Sequence, residues 1–241
     1  MKNKPFLIVL LLLISGSLIA QDSKFRLGIR FAPGLSSNRV TDVDEKDLLS
    51  FDNNKSGIRF SAGLTGDFYF GKNYSFYTGL WYTVYRVGVS YSGSDTLAGF
   101  SGESIHNMQH VQIPVALKLF TNEVATDTKL YFVLGGTLGA KINEKEKEWV
   151  TNKNTGKPDA LKVSESSKGK AYSFGDIGLL LGMGLEYQMG ESTRLFGGLS
   201  YNRGLLNVAS KKGPFWVRER DAEGYYNVSI SLISLEAGIK F

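Results

Sequence analysis

The run Asp176-Ile-Gly-Leu-Leu-Leu-Gly-Met-Gly-Leu-Glu186 constrains the fold more than any other stretch. Ile177, Leu179, Leu181, Met183 and Leu185 fall on one side of a two-residue period. Asp176, Gly178, Gly182, Gly184 and Glu186 fall on the other. Successive side chains point to opposite faces only in a strand. A helix would be weakened by each of the three glycines.

The same period recurs along the chain. Phe25, Leu27, Ile29 and Phe31 alternate with Arg26, Gly28, Arg30 and Ala32. Ile58, Phe60, Ala62 and Leu64 alternate with Arg59, Ser61, Gly63, Thr65 and Asp67. Tyr74 to Tyr91 is a long β-prone run in which Trp81, Tyr85, Val87 and Val89 share a side whose direction the pattern leaves open. Val111 to Leu119 alternates through Pro114, and Leu130 to Lys141 alternates against Tyr131, Gly135, Thr137 and Gly139. A further strand lies near Arg194 to Tyr201. The last sets Ile233, Leu235, Ala237, Ile239 and Phe241 against Ser234, Glu236, Gly238 and Lys240.

About eight strands result, an even number that suits a membrane barrel. Most approach the roughly 9–11 residues that a tilted strand needs to cross a bilayer. Alternation alone serves a soluble barrel equally well, with its apolar face inward. Connection lengths decide between them. Long polar connections are expected at Ser36–Lys55, Ser92–Gln109, Asn143–Lys170 and Asn207–Gly224, and short ones at Gly71–Asn73, Thr121–Thr128 and Gly190–Thr193. Long loops at one end and short turns at the other are the plan of an outer-membrane barrel. The expected fold is therefore all-β: a closed, up-and-down, antiparallel transmembrane β-barrel.

Lys2 and Lys4, the apolar run Phe6 to Ile14, the break at Ser15, Gly16 and Ser17, and Ala20 form the pattern of a secretory signal. The run is shorter than the roughly 20 apolar residues of a membrane helix. Residues 1–20 are thus expected to be a cleaved signal peptide and residues 21–241 the barrel domain. The chain has no cysteine, so a lipid-modified N-terminal cysteine, disulfides and thiolate chemistry do not arise. The formal charge of +5 falls to +3 without Lys2 and Lys4, which gives no ground for a nucleic-acid partner.

The inward charges expected from the alternation are Arg26, Arg30, Arg59, Asp67, Lys118, Asp176, Glu186, Glu236 and Lys240. They would line a pore or form ion pairs that fill the lumen. An eight-stranded barrel is only just wide enough for its own side chains, which favours filling. His106 and His110 have the spacing of metal ligands on a helix, but lie where a loop meets a strand, beside Glu103; hydrogen-bonded loop histidines are expected there. No Ser-His-Asp set or acidic pair near a histidine stands out, so no enzyme, metal or cofactor is expected.

The strand Phe25-Arg-Leu-Gly-Ile-Arg-Phe31, the segment Gln112-Ile-Pro-Val-Ala-Leu-Lys118, the strand Asp176–Tyr187, the segment Tyr201-Asn-Arg-Gly-Leu-Leu-Asn207 and the ending Glu236-Ala-Gly-Ile-Lys-Phe241 resemble the PorT-like family of outer-membrane β-barrels, common in Bacteroidota. The resemblance spans nearly the whole mature chain. It implies an outer-membrane protein whose terminal Phe241 is read by the barrel-insertion machinery. The family's namesake is linked to type IX secretion. The partners expected are membrane lipid, the insertion machinery and other envelope or secretion proteins. A structural or accessory role leads, with a narrow solute channel and a soluble ligand-binding barrel as alternatives.

Overall fold

The computed structural model describes residues 24–42, 49–54, 56–93, 101–148, 172–209, 215–217, 222–224 and 226–241. The expected signal peptide lies outside them, as does most of Asn143–Lys170. The strands are β1 (Phe25–Asp42), β2 (Leu49–Asn53), β3 (Gly57–Gly71), β4 (Tyr74–Gly93), β5 (Ser101–Ala125), β6 (Thr128–Glu148), β7 (Gly175–Gln188), β8 (Arg194–Gly204), β9 (Phe215–Val217), β10 (Ala222–Gly224) and β11 (Tyr226–Lys240).

Eight of them close a barrel in the order β1-β3-β4-β5-β6-β7-β8-β11, every pair antiparallel, with β11 returning to β1 through Gly28↔Lys240 to Asp42↔Tyr226. β2 adds to the upper part of β4, and β9 pairs with β10 alone. Closure removes the free edges that an open sheet would expose. At one end, here the turn end, the connections are short. Between β5 and β6 only Thr126 and Asp127 intervene, and Asp127 takes a positive φ of 56°. The opposite end is the loop end.

Large apolar side chains form a belt around the outside. Phe31, Leu80, Leu117, Leu134, Ile177, Leu199 and Leu235 are all exposed there. The buried side of the same strands carries Arg30, Asp67, Lys118, Glu186, Glu236 and Lys240. For a chain in water this would be inside out. In lipid it is the favourable arrangement.

The strands outrun the expected segments. β5 has 25 residues and β6 has 21, so they absorb the second half of Ser92–Gln109 and the start of Asn143–Lys170, which the alternation assigns to loops. At about 3.3 Å per residue and a tilt of about 40°, β5 rises on the order of 60 Å, twice the roughly 30 Å hydrocarbon core. Beyond the apolar belt neither face must be greasy, so Asn107, Gln109, Asn143 and Lys145 occur in a strand that carries no apolar period.

Beyond the belt the polarity inverts. On β11, Val228, Ile230 and Leu232 are buried while Asn227 is exposed; one residue later Ile233 is exposed and Ser234 buried. Val87 and Val89 of β4 and Met108 of β5 are also fully buried, so the loop end of the barrel has an apolar core of its own.

Two local departures shape the wall. Pro114 lacks an N–H, and the β4–β5 ladder passes from Thr78↔Val115 to Trp81↔Gln112 with the intervening pairs missing but the register kept. Pro114 keeps its place through Thr137 of β6. Farther up, β4 parts from β3 after Ser61↔Thr83. Its next stretch bonds instead to side chains of β1. Ser36 Oγ accepts from Arg86 N (2.9 Å), and the Asn38 carboxamide donates to Gly88 O (2.8 Å) and accepts from Gly88 N (2.9 Å). Ser36 is buried on the inner side of β1, so this part of β4 lies across the mouth of the barrel.

Candidate functional site

The lumen holds the chain's chemistry, in three tiers. The tier nearest the turn end centres on Glu186 of β7. Lys240 Nζ lies 2.5 Å from Glu186 Oε2 and 2.5 Å from Asp67 Oδ2. Lys118 Nζ stands 3.4 Å from the same glutamate oxygen, and Arg194 Nη1 donates to Glu186 Oε1 at 3.0 Å. Ser75 Oγ donates to Asp67 Oδ1. The Lys118 ammonium also sits 3.9 Å from the centroid of the Tyr131 ring, a cation–π contact between two buried side chains.

The middle tier is organised by Arg30. Its Nε donates to Glu236 Oε2 (2.8 Å), its other nitrogens to Ser61 and Ser200, and its guanidinium stacks 4.2 Å over Trp81. Tyr131, three strands away from β11, donates to Glu236 Oε1 at 2.7 Å and so ties the far wall to the same carboxylate. Tyr77, Trp81, Phe120, Tyr131, Leu180 and Phe196 pack between the charges. The alternation assigns this face to small and charged residues. The aromatic filling is a finding of the structure, and its signal is Tyr77, Trp81 and Tyr85, each four residues from the next on one side of β4.

Above lie Tyr85, Gln112, Thr137, Asn202, His110 and Asp176, all buried. Gln112 donates to Tyr85 Oη at 3.0 Å. Gly178 leaves room for Thr137 and Asn202, since a Cβ there would stand 2.6 Å from oxygens of both.

The nine expected inward charges divide as follows. Arg30, Asp67, Lys118, Glu186, Glu236 and Lys240 meet in the two lower tiers. Asp176 sits above them, Arg26 is half-buried and donates to Ser192 O at the turn end, and Arg59 stands near the loop end against Asn107. Arg194 joins the lower cluster although the alternation does not single it out.

His106 and His110 are buried in β5 rather than at a loop. The four-residue spacing that would let both reach one ion on a helix separates them by about 13 Å in a strand. Glu103 is exposed. His106 Nδ1 instead faces Glu144 Oε1 (3.0 Å), and Lys141 Nζ donates to Glu144 Oε2 (2.7 Å) and to Tyr172 O (2.6 Å). Glu144 stands on β6 above the apolar belt. Burial alone would raise its carboxyl, but the contacts with His106 and Lys141 hold it below the ordinary value. Among the described residues no three histidine or carboxylate side chains gather as a metal site would require.

Solvent reaches 0% of Lys240 and 2% of Lys118 and of Arg30. Charges taken from water at this depth are stable only when paired and hydrogen-bonded, as these are. Lys240–Glu186, Lys240–Asp67, Lys118–Glu186 and Tyr131–Glu236 each join strands that are not neighbours, so the cluster cross-braces the barrel.

Comparison with solved structures returns small outer-membrane barrels. The chain is similar to OprG from Pseudomonas aeruginosa, at 13% identity over 91% of this chain and 99% of that one, with a TM-score of 0.49. It is similar to Neisserial surface protein A at 13% identity over 91% and 98%, with a TM-score of 0.40. The outer membrane protease OmpT from Escherichia coli is a more distant likeness, at 8% identity over 90% and 96%, with a TM-score of 0.40. No curated protein matches the chain. The family model described as outer membrane protein beta-barrel domain matches residues 19–210. The chain belongs to that family of outer membrane β-barrel domains.

Proposed function

We propose that this outer-membrane barrel is a sealed, non-conducting scaffold that serves protein partners through its loop end. The observation that carries the reading is the buried, cross-braced Glu186 and Glu236 cluster, whose paired charges fill the middle of the lumen. The long β5 and β6 support it, because strands that outrun the bilayer present a rigid surface beyond it. The resemblance to PorT-like barrels points to support of protein secretion. On this reading the loop end faces the cell exterior, residues 1–20 are an export signal removed after Ala20, and Phe241, 43% exposed with its N–H on Leu27 O, is the insertion signal. The role requires neither catalysis nor a cofactor.

The charged lumen favours a second reading, a narrow solute channel. Planar-bilayer recording of the folded protein separates the two. The scaffold gives no reproducible conductance steps and co-purifies with other envelope proteins in mild detergent. Steps of constant size would overturn it in favour of the channel.

A further inference from the structure

Arg59 and Arg86 differ from the guanidiniums of the lumen and the turn end. Arg30 and Arg194 each meet a carboxylate, and Arg26 is held by a backbone carbonyl at the turn end. Arg59 lies on the part of β3 that pairs with β1 but not with β4, and Arg86 lies on β4 just after β3 and β4 part. Gly57 lets them converge. A Cβ at 57 would stand 2.6 Å from Arg86 Cδ, and from that same point Arg86 Nε is 3.4 Å and Arg59 Nη1 3.5 Å away.

Their partners are neutral. Arg59 donates to Asn107 Oδ1 and to Ile58 O, and Arg86 Nη2 reaches Asn54 Oδ1 at 3.4 Å. Arg86 Nε is buried without an acceptor. Among the described residues no carboxylate forms an ion pair with either. Two neighbouring cations without a counter-charge repel each other, and the cost rises as water is excluded.

The surroundings favour one kind of anion for this pair. Ile58 is 79% exposed, Phe60 is 38% exposed, and Phe60 lies 6.1 Å from the ring of Tyr82. These three form the upper rim of the apolar belt, the depth at which aromatic side chains mark the headgroup layer. Guanidinium forks match phosphate oxygens in a two-pronged geometry. We propose that Arg59 and Arg86 form a binding site for the phosphate of a lipid headgroup at the depth of this rim.

The test uses the folded full-length barrel in a non-ionic detergent, with native mass spectrometry reading bound lipid as phosphatidic acid or phosphatidylcholine is added. The wild-type chain should retain phosphatidic acid in preference to phosphatidylcholine. The Arg59→Gln/Arg86→Gln variant should retain it about ten-fold less well. The Lys72→Gln/Lys129→Gln variant, altered at the turn end, should match the wild type. Heat-modifiable gel mobility checks that each variant is folded. If the glutamine variant does not fold, Arg59→Lys/Arg86→Lys keeps the charge but not the fork and should bind more weakly than the wild type. Equal retention of both lipids by the wild type, or unchanged retention by the glutamine or lysine variant, would overturn the proposal. Displacement of the lipid by an equal concentration of inorganic phosphate would overturn it too, because the site would then take a free anion.

Discussion

The Lys240 ammonium lies 2.5 Å from Glu186 Oε2, with solvent reaching 0% of one side chain and 2% of the other. One carboxylate serves three cations here, since Lys118 and Arg194 share it. Glu186→Gln should therefore destabilise the barrel by about 3–5 kcal/mol, the usual penalty for stranding buried charge. Urea unfolding of the refolded protein in detergent, followed by tryptophan fluorescence, measures it. A change below 1 kcal/mol would mean that water reaches the cluster.

Gly184 and Gly198 form the floor under the Tyr131 hydroxyl. A Cβ on Gly184 would stand 2.5 Å from that oxygen and 2.3 Å from the Gly197 carbonyl, which cannot move aside. Gly184→Ala should displace Tyr131 from Glu236 and cost about 2–4 kcal/mol, by overpacking and by a lost bond to a charged acceptor. Tyr131→Phe removes only the bond and should cost less. The same unfolding curves compare them.

Asn38 acts as a piece of strand. Its carboxamide satisfies both backbone groups of Gly88, where β4 has lost β3. Asn38→Ala should cost about 1–3 kcal/mol, because it strands the Gly88 N–H and leaves Gly88 O to the Asn54 N–H alone. Hydrogen exchange at Gly88 should accelerate, with little change at Thr83, which stays paired to Ser61.

Glu144 provides a pH dependence outside the membrane. Its carboxyl is held below the ordinary value of 4.5 by His106 and Lys141, against the opposing effect of burial. A depressed folded value means that the stabilisation is complete above 4.5 and is lost as the pH falls through the folded value. Since Lys141 also holds Tyr172 O, exchange at the Ser173 amide should accelerate in that acidic window. Glu144→Gln should remove the pH dependence. A wild-type chain insensitive to acid at Ser173 would show that Glu144 does not hold this corner.

The barrel was legible wherever lipid dictates the pattern. Ile177 to Leu185, Ile113 to Leu119 and Ile233 to Leu235 must be apolar on one face only, and a period of two follows. The lumen was half legible. Isolated charges such as Arg30, Lys118 and Glu236 stand out on the inner face, but Tyr131 and Phe196 sit in strands whose outer face is equally large and apolar. The loop end left least trace. Strands in water on a small apolar core need no greasy outer face, so Ser101–His110 and Asn143–Glu148 look like connections. The inward turn of β4 rests on Ser36 and Asn38 bonding to residues 50 positions away, which no local pattern records.

The exchange of faces between Leu232 and Ile233 also acts as a depth gauge. Sliding β11 deeper would drag Ser231 and Ser229 into hydrocarbon, and raising it would lift Ile233 and Leu235 into water. A slip of β11 along its neighbours would pull Glu236 from Arg30 and Lys240 from Glu186, so the strand keeps its height relative to the rest of the barrel. The height at which the barrel rides in its bilayer is thus written into the strand to within a residue, before any partner touches it.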